Sequence, residues 1–303
     1  MPTLRELQAV IEDLWPSAGA ESWDAVGLVS GHPDQPVEHV HLAVDAVPAT
    51  ADEAVAVGAD LLLTHHPLLL RGVTTIDETT AKGRVLATLV RGGTALLAAH
   101  TNADVVTTGT SAVLADRLGL SEQRPLEPGA DPGTGTGIGR VGVLPHGTTL
   151  GALARQLVDL LPPTATGVRV SGDFDRPVRT VALCAGAGDA YLGNAAVRTA
   201  DVYVTSDLRH HPASEFREQA LLVDGPALVD TSHWATEWLW LDVAAEQLRR
   251  LAGVRVTVSD LRTDPWDFAV LPAAEPTPGP IAADGSGSTG TAAPTPAPEG
   301  DRP

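Results

Sequence analysis

Apolar residues recur at helical spacing at Leu4, Leu7, Val10, Ile11 and Leu14, which predicts a helix over 3–14. Thr3 and Glu6 fit a capping box at its start, and Pro16 stops it. The apolar run 40–44 (VHLAV) predicts a strand, and 50–57 a helix ending at Gly58. The run 61–64 predicts another strand, with His65, His66 and Pro67 directly after it. Residues 82–90 again carry helical spacing, 94–99 (TALLAA) a strand, and 111–118 a helix closed by Gly119. Strands alternating with helices predict a parallel sheet covered on its faces. The stretch 121–139 breaks the rhythm with Gly and Pro and reads as a linker or surface loop.

Beyond it, 141–144, 168–170, 178–184 and 200–205 predict strands, and 149–161 a helix with Leu150, Leu153, Leu157 and Leu160 on one face. Short apolar runs follow at 221–223 and 227–229. A long helix is expected over 234–251, with Gly253 beyond its end, and a last strand over 254–258. From 272 onward no periodicity remains, and disorder is expected. The domain reading is a first α/β domain at 1–125, a linker at 126–140, a second α/β domain at 141–271 and a tail at 272–303. One echo supports two similar halves. Ala59-Asp60 opens the strand that leads to His65-His66-Pro67, and Ala200-Asp201 opens one that leads to His210-His211-Pro212.

Chemistry gathers where strands end. In open α/β sheets, ligands bind beyond the carboxyl ends of the strands. There stand His65 and His66, then His100 and Asp104, then Asp207, His210 and His211, then His233 and Glu237. Six of the ten histidines fall in these clusters. His65 and His66, adjacent on extended backbone, point to opposite sides and so suit two neighbouring centres. His233 and Glu237, four apart on a helix, share one face. Histidine and carboxylate without thiolate suit Zn, Fe or Mn, and Asp104 could bridge two ions. No Gly-x-Ser-x-Gly elbow is present for a serine nucleophile. Cys184 reads as a buried, inert thiol. The turn AGAGDAYLG could cradle a phosphate, but its glycine spacing fits a plain strand-to-helix turn better.

Composition narrows the partners. The formal charge of the 303-residue chain is −18, which disfavours generic binding to nucleic acid. One cysteine excludes an intrachain disulfide and a thiolate zinc cluster. No stretch approaches the roughly 20 apolar residues that span a bilayer, and no signal-peptide segment is evident, so no membrane association and a cytoplasmic location are expected.

The motifs LLLTHHPLL, AAHTNAD, GIGRVG, TSDLRHH and DTSHWATE, with ESWDAVGL near the start, resemble in order those of the Nif-three-like (NGG-one-interacting factor three-like) family. Its members are often called GTP cyclohydrolase 1 type 2 homologues. The resemblance covers about residues 3–270. It implies two similar three-layer α/β domains with a dinuclear metal site between them, assembled as a toroidal homohexamer. The distance from Asp104 to His233 leaves no room for the middle domain some members carry. Carried over by motif, the ligands are His65, His66, Asp104, His233 and Glu237, holding two divalent ions. His100 and His211 match residues lining the site, which implies that they face the substrate and orient it or move a proton as catalytic groups. Ser206 stands where glycine is usual, and Trp234 where a smaller or tyrosyl residue is common, so Trp234 is expected to narrow the pocket. The function implied is a metal-dependent hydrolase acting on a nucleotide or phosphoester. The alternatives are a metal-binding scaffold or metallochaperone without turnover, and a single structural metal.

Overall fold

In the computed structural model, which describes residues 1–271, Thr3 caps α1 (Leu4–Leu14) through a full capping box with Glu6. Leu4, Leu7 and Ile11 form its buried stripe. The chain then runs through β1 (Gly27–Ser30), β2 (His39–Ala43), α2 (Pro48–Ala56), β3 (Leu61–Thr64), α3 (Ala81–Gly92) and β4 (Ala95–Ala98). A short α4 (Thr101–Asp104) and α5 (Thr110–Arg117) follow, then β5 (Ser121–Arg124). The strand pair β6 (Glu127–Pro128) and β7 (Gly137–Ile138) leads into β8 (Arg140–Thr149). Next come α6 (Leu150–Leu160), β9 (Arg169–Ser171), β10 (Pro177–Ala187), α7 (Ala195–Arg198) and β11 (Val202–Ser206). The remaining elements are α8 (His210–Val223), β12 (Ala227–Thr231), α9 (His233–Ala252) and β13 (Arg255–Val258).

Two mixed sheets result. The first has the order β1-β4-β3-β2-β13 and is parallel except for β1. The second has the order β5-β8-β10-β11-β12-β9, with a parallel centre of β10, β11 and β12 flanked by antiparallel strands. The inner faces of both sheets share one hydrophobic core with α1, α5, α6 and α9, which includes Leu61 and Leu63 of β3 and Val202 and Val204 of β11. Trp15 and Trp240 meet edge to face at its centre, their ring centroids 5.1 Å apart. Smaller clusters lie under α2 and α3 on the first sheet and under α7 and α8 on the second.

The Ala-Asp echo has a physical counterpart. The Asp60 carboxylate accepts from the backbone N–H groups of Glu38 and His39, and that of Asp201 from Arg179 and Thr180. Each aspartate thus seals the entry of a central parallel strand against its neighbour. The halves are interlaced, however. β13, which follows α9 in the chain, is the edge strand of the first sheet, and β5 belongs to the second.

The stretch 126–140, expected as a linker, is exposed at 127–128 and 130–134 but packed at both ends. Leu126 is buried, and the buried Arg140 guanidinium donates to the carbonyls of Gly137, Gly139 and Val106. The run 221–223 is the exposed last turn of α8. The expected tail, 272–303, lies outside the described residues.

Candidate metal centre

The parallel ladder continues past β3: His65 N–H donates to Ala43 O and His66 N–H to Val44 O. The two imidazoles are thereby held on rigid extended backbone, their ring centroids 5.2 Å apart. From the other half, Ser232 caps α9, and His233 and Glu237 stand one turn apart on it. Their contact, His233 Nε2 to Glu237 Oε1, is 2.9 Å.

These groups converge. His66 Nε2 lies 3.2 Å from His233 Nε2 and 2.9 Å from Glu237 Oε2. His65 Nε2 lies 3.5 Å from Glu237 Oε1 and 3.6 Å from Asp104 Oδ1. Asp104 is fixed in turn by the Thr110 hydroxyl, which donates to its Oδ1 at 2.5 Å. The His100 ring stands against those of His65 and His66, with centroids 5.1 and 5.4 Å away. Two groups have the spacing of a metal site: His65, His66 and His100, and His66, His233 and Glu237. The structure thus brings together all five expected ligands and His100. It does not bring His211, which is exposed at the start of α8 with its ring against that of His210.

All four imidazoles commit Nδ1 to an oxygen. His65 Nδ1–H donates to the Ala99 carbonyl at 2.9 Å, His66 to Asp45 at 2.7 Å, His100 to Asp24 at 2.9 Å and His233 to Asp207 at 2.7 Å. That fixes the tautomer and turns each Nε2 inward, the arrangement that outer partners impose on metal-binding histidines. Inside, two buried atoms have no hydrogen-bond partner among the described residues, His65 Nε2 and Glu237 Oε2. Glu237 Oε2 is close to His66 Nε2 but does not form a hydrogen bond with it. Buried polar atoms without partners are costly. Nitrogen and oxygen atoms that crowd together unpaired are what a common cation would satisfy, so the donor set fits a divalent metal. Gly186 makes room for it: a Cβ there would stand 2.3 Å from Glu237 Oε1.

The electrostatics agree. Burial opposes protonation of His66, but the carboxylates of Glu237 and Asp45 outweigh it and push the imidazole up to about 10. His65 and His233 are raised against burial in the same way, His65 by Glu237 and Asp104, His233 by Glu237 and Asp207. Glu237 is held well below the usual carboxylate range, because these imidazoles outweigh its burial. His100 moves the other way, lowered by burial and by His65 despite Asp24. A cation would take over the role that protons play here.

A cavity of about 410 Å³ opens onto this cluster, lined by His66, His100, Asp104, His233 and Glu237 and walled by Trp23, Leu70, Ile138 and Tyr191. Cys184 also lines it, its thiol pushed up by burial. A second cavity, of about 550 Å³, has the same two histidines, His66 and His233, in its wall. Trp234 lines this second cavity and not the first, so it does not narrow the space before His100 and Asp104. Ser206 is buried with its hydroxyl 3.1 Å from that of Thr231.

Asp207 stands among the strand-end groups of the sequence, though not as the partner of His233; Asp24, Asp45 and the space-giving Gly186 escaped the sequence reading. The available signal was a carboxylate directly after a parallel strand: Asp45 stands two residues beyond β2, and Asp207 one beyond β11.

Among the described residues no helix is long and apolar enough to cross a membrane. The family model for Duf34/NIF3 (NGG1p interacting factor 3) matches residues 2–265. A Streptomyces coelicolor protein named GTP cyclohydrolase 1 type 2 homolog is 48 % identical, with 90 % of this chain and 96 % of that protein covered. A Mycobacterium tuberculosis protein of the same name is 34 % identical over 372 aligned positions, covering 88 % of this chain and 97 % of its own. That span exceeds this chain's 303 residues, so the relative has stretches without a counterpart here. Among solved structures, a Bacillus cereus protein related to NIF3 superposes with a TM-score of 0.78 at 24 % identity, covering 88 % of this chain and 99 % of that one. Reduced HcgD from Methanocaldococcus jannaschii superposes at 0.71 with 26 % identity, covering 86 % and 98 %. With a family match over nearly its whole described length, the chain belongs to the Duf34/NIF3 (NGG1p interacting factor 3) family.

Proposed function

We propose that the cluster is a dinuclear divalent metal centre and that the protein is a metal-dependent hydrolase acting on a nucleotide or phosphoester. One observation carries this reading. Four imidazoles turn Nε2 towards a common space in which buried His65 Nε2 and Glu237 Oε2 lack partners. His65, His66, Asp104, His233 and Glu237 would hold the ions, of Zn, Fe or Mn type. Such ions would supply Lewis acidity to the scissile group and to water. His100 faces the 410 Å³ cavity with its pKa lowered by burial, and Asp24 fixes its ring through Nδ1. Its Nε2 is therefore placed to exchange a proton with a substrate in that cavity. Trp23, Leu70, Ile138 and Tyr191 offer an apolar wall for the part of the substrate away from the reacting group. The relatives' name makes GTP the first compound to test.

A second reading is a metal-binding scaffold or metallochaperone without turnover. It is favoured by the absence of any lysine or arginine, among the described residues, from the lining of the 410 Å³ cavity. We also infer self-assembly, as the toroidal homohexamer the family resemblance implies, in the cytoplasm. The helix α8 has no buried residue and ends in exposed Leu221, Leu222 and Val223, which supports assembly through apolar surface.

The test is to load the purified protein with Mn, Zn or Fe and screen nucleotides and phosphoesters. Hydrolysis that falls by at least about a hundredfold in both Asp104→Ala and Glu237→Ala is expected. Activity that survives both substitutions would overturn the ligand assignment. Readily exchanging metal with no substrate consumed would favour the scaffold.

A further inference from the structure

Beyond β13 the chain crosses the second cavity as an irregular strap, residues 259–266. Its start is anchored: Ser259 N–H donates to Leu42 O at 2.8 Å, and the Ser259 hydroxyl donates to Glu53 at 2.5 Å. Residues 260–262 are exposed. Thr263 and Asp264 then turn inward, and each reaches a different side of the metal cluster.

The Thr263 hydroxyl donates to Asp45 Oδ2, while Asp45 Oδ1 accepts from His66 Nδ1 at 2.7 Å. Among the described residues this is the one hydrogen bond to the second oxygen of Asp45. Without it the carboxylate is free to rotate about its Cβ–Cγ bond, and the imidazole it aims loses its orientation. Asp264, 9 % exposed, accepts the Ser232 hydroxyl hydrogen at 2.7 Å. The Ser232 oxygen in turn accepts from Ala235 N–H and caps α9, whose first residue is His233. Two neighbouring residues of one strap therefore brace a ligand just beyond β3 and a ligand on α9.

We propose, on the metal-centre reading above, that Thr263 and Asp264 are positioning residues of the metal site. Thr263 holds His66 through Asp45, and Asp264 holds His233 through Ser232. The strap is thus a brace across the two halves, and neither residue touches the ions or the substrate. Outer partners of metal-binding histidines govern affinity by about 10–100-fold. Thr263 acts one bond further out, so the lower end of that range is expected.

The experiment is a Co(II) titration of the full chain, read by its visible absorption, with thermal melting of the metal-free protein alongside. Thr263→Val keeps the shape and removes the hydroxyl; it should weaken cobalt binding about tenfold and alter the ligand-field bands. Thr263→Ser should restore both. The metal-free melting temperatures of the three proteins should agree. Asp264→Ala is the independent variant and should also weaken binding. If the wild type binds cobalt and Thr263→Val binds it with the same affinity and spectrum, the brace is wrong while the metal centre stands. If Thr263→Ser fails to restore binding and both variants melt early without metal, the role is merely structural and the proposal falls. If the wild type binds no cobalt, the metal-centre reading fails and takes the brace with it.

Discussion

Gly186 is the residue on which the cluster's geometry turns. Its φ of 70° lies in the left-handed region, and its missing side chain leaves the space filled by Glu237 and His233. Gly186→Ala would pay twice: about 1–2 kcal/mol for the backbone, and displacement of the Glu237 carboxylate from beside a Cβ only 2.3 Å away. The expected outcome is a folded protein with metal affinity reduced at least 10–100-fold, checked by isothermal titration with Zn(II). Unchanged affinity would mean that Glu237 is not held where the structure places it. At this scale the ligands were legible in the sequence and their supports were not. His65-His66 and His233-x-x-x-Glu237 announce themselves because the backbone alone decides which way neighbouring or helix-spaced side chains face. Asp24, Asp45 and Asp207 come to their histidines only when separate strands are laid side by side. The chain separations, 76 residues for Asp24–His100 and 26 for Asp207–His233, carry no periodic signal.

Among elements, those with a continuous apolar stripe or run were readable: α1, α6, α9 and the parallel strands. Two were not. β5 has the sequence SEQR, with no apolar residue, and becomes a strand because β8 accepts it at the sheet edge. α8 has no fully buried residue, and its half-buried side, with Ala213 and Phe216, is too sparse in apolar residues to read as a stripe. The edge strand β13 carries a prediction of its own. It docks on β2 through the Thr257 hydroxyl, shared at 2.7 Å by His39 Nε2 and at 2.8 Å by His41 Nδ1. Glu53 lies against His41, and Arg255 and Asp60 are the other charged groups near His39. Burial lowers the His39 pKa, assisted by Arg255 and His41 and opposed by the Gly58 carbonyl and Asp60. The folded-state value is therefore below the unfolded value of about 6.5. The neutral form is favoured on folding, so this contribution to stability is fully present above about pH 6.5 and is lost as the pH falls from there through the lower folded-state value. Urea midpoints at pH 7.5 and 5.0 should fall further in the wild type than in His39→Gln. Equal falls would show that His39 does not couple the edge strand to pH.

For the whole molecule, the echo between the two Ala-Asp strands pointed to two similar halves, and the matching Asp60 and Asp201 hydrogen bonds bear the similarity out locally. The interlacing was not legible. The apolar spacing of α9 shows that it is buried but not that it packs against both sheets, and the pattern of β13 does not say which sheet it joins. Because both sheets share one core around Trp15 and Trp240, their strand ends are fixed relative to each other. A site assembled from β3, α4 and α9 can then be held rigidly although no single stretch of chain contains it. The central claim is that this shared geometry exists to hold divalent ions. Metal analysis after loading and desalting tests it most directly, with wild type and Glu237→Ala measured side by side. Two ions per chain in the wild type, falling to one or none in Glu237→Ala, is the result the proposed dinuclear centre predicts. A wild type that retains no stoichiometric metal, or a variant that retains as much, would contradict it.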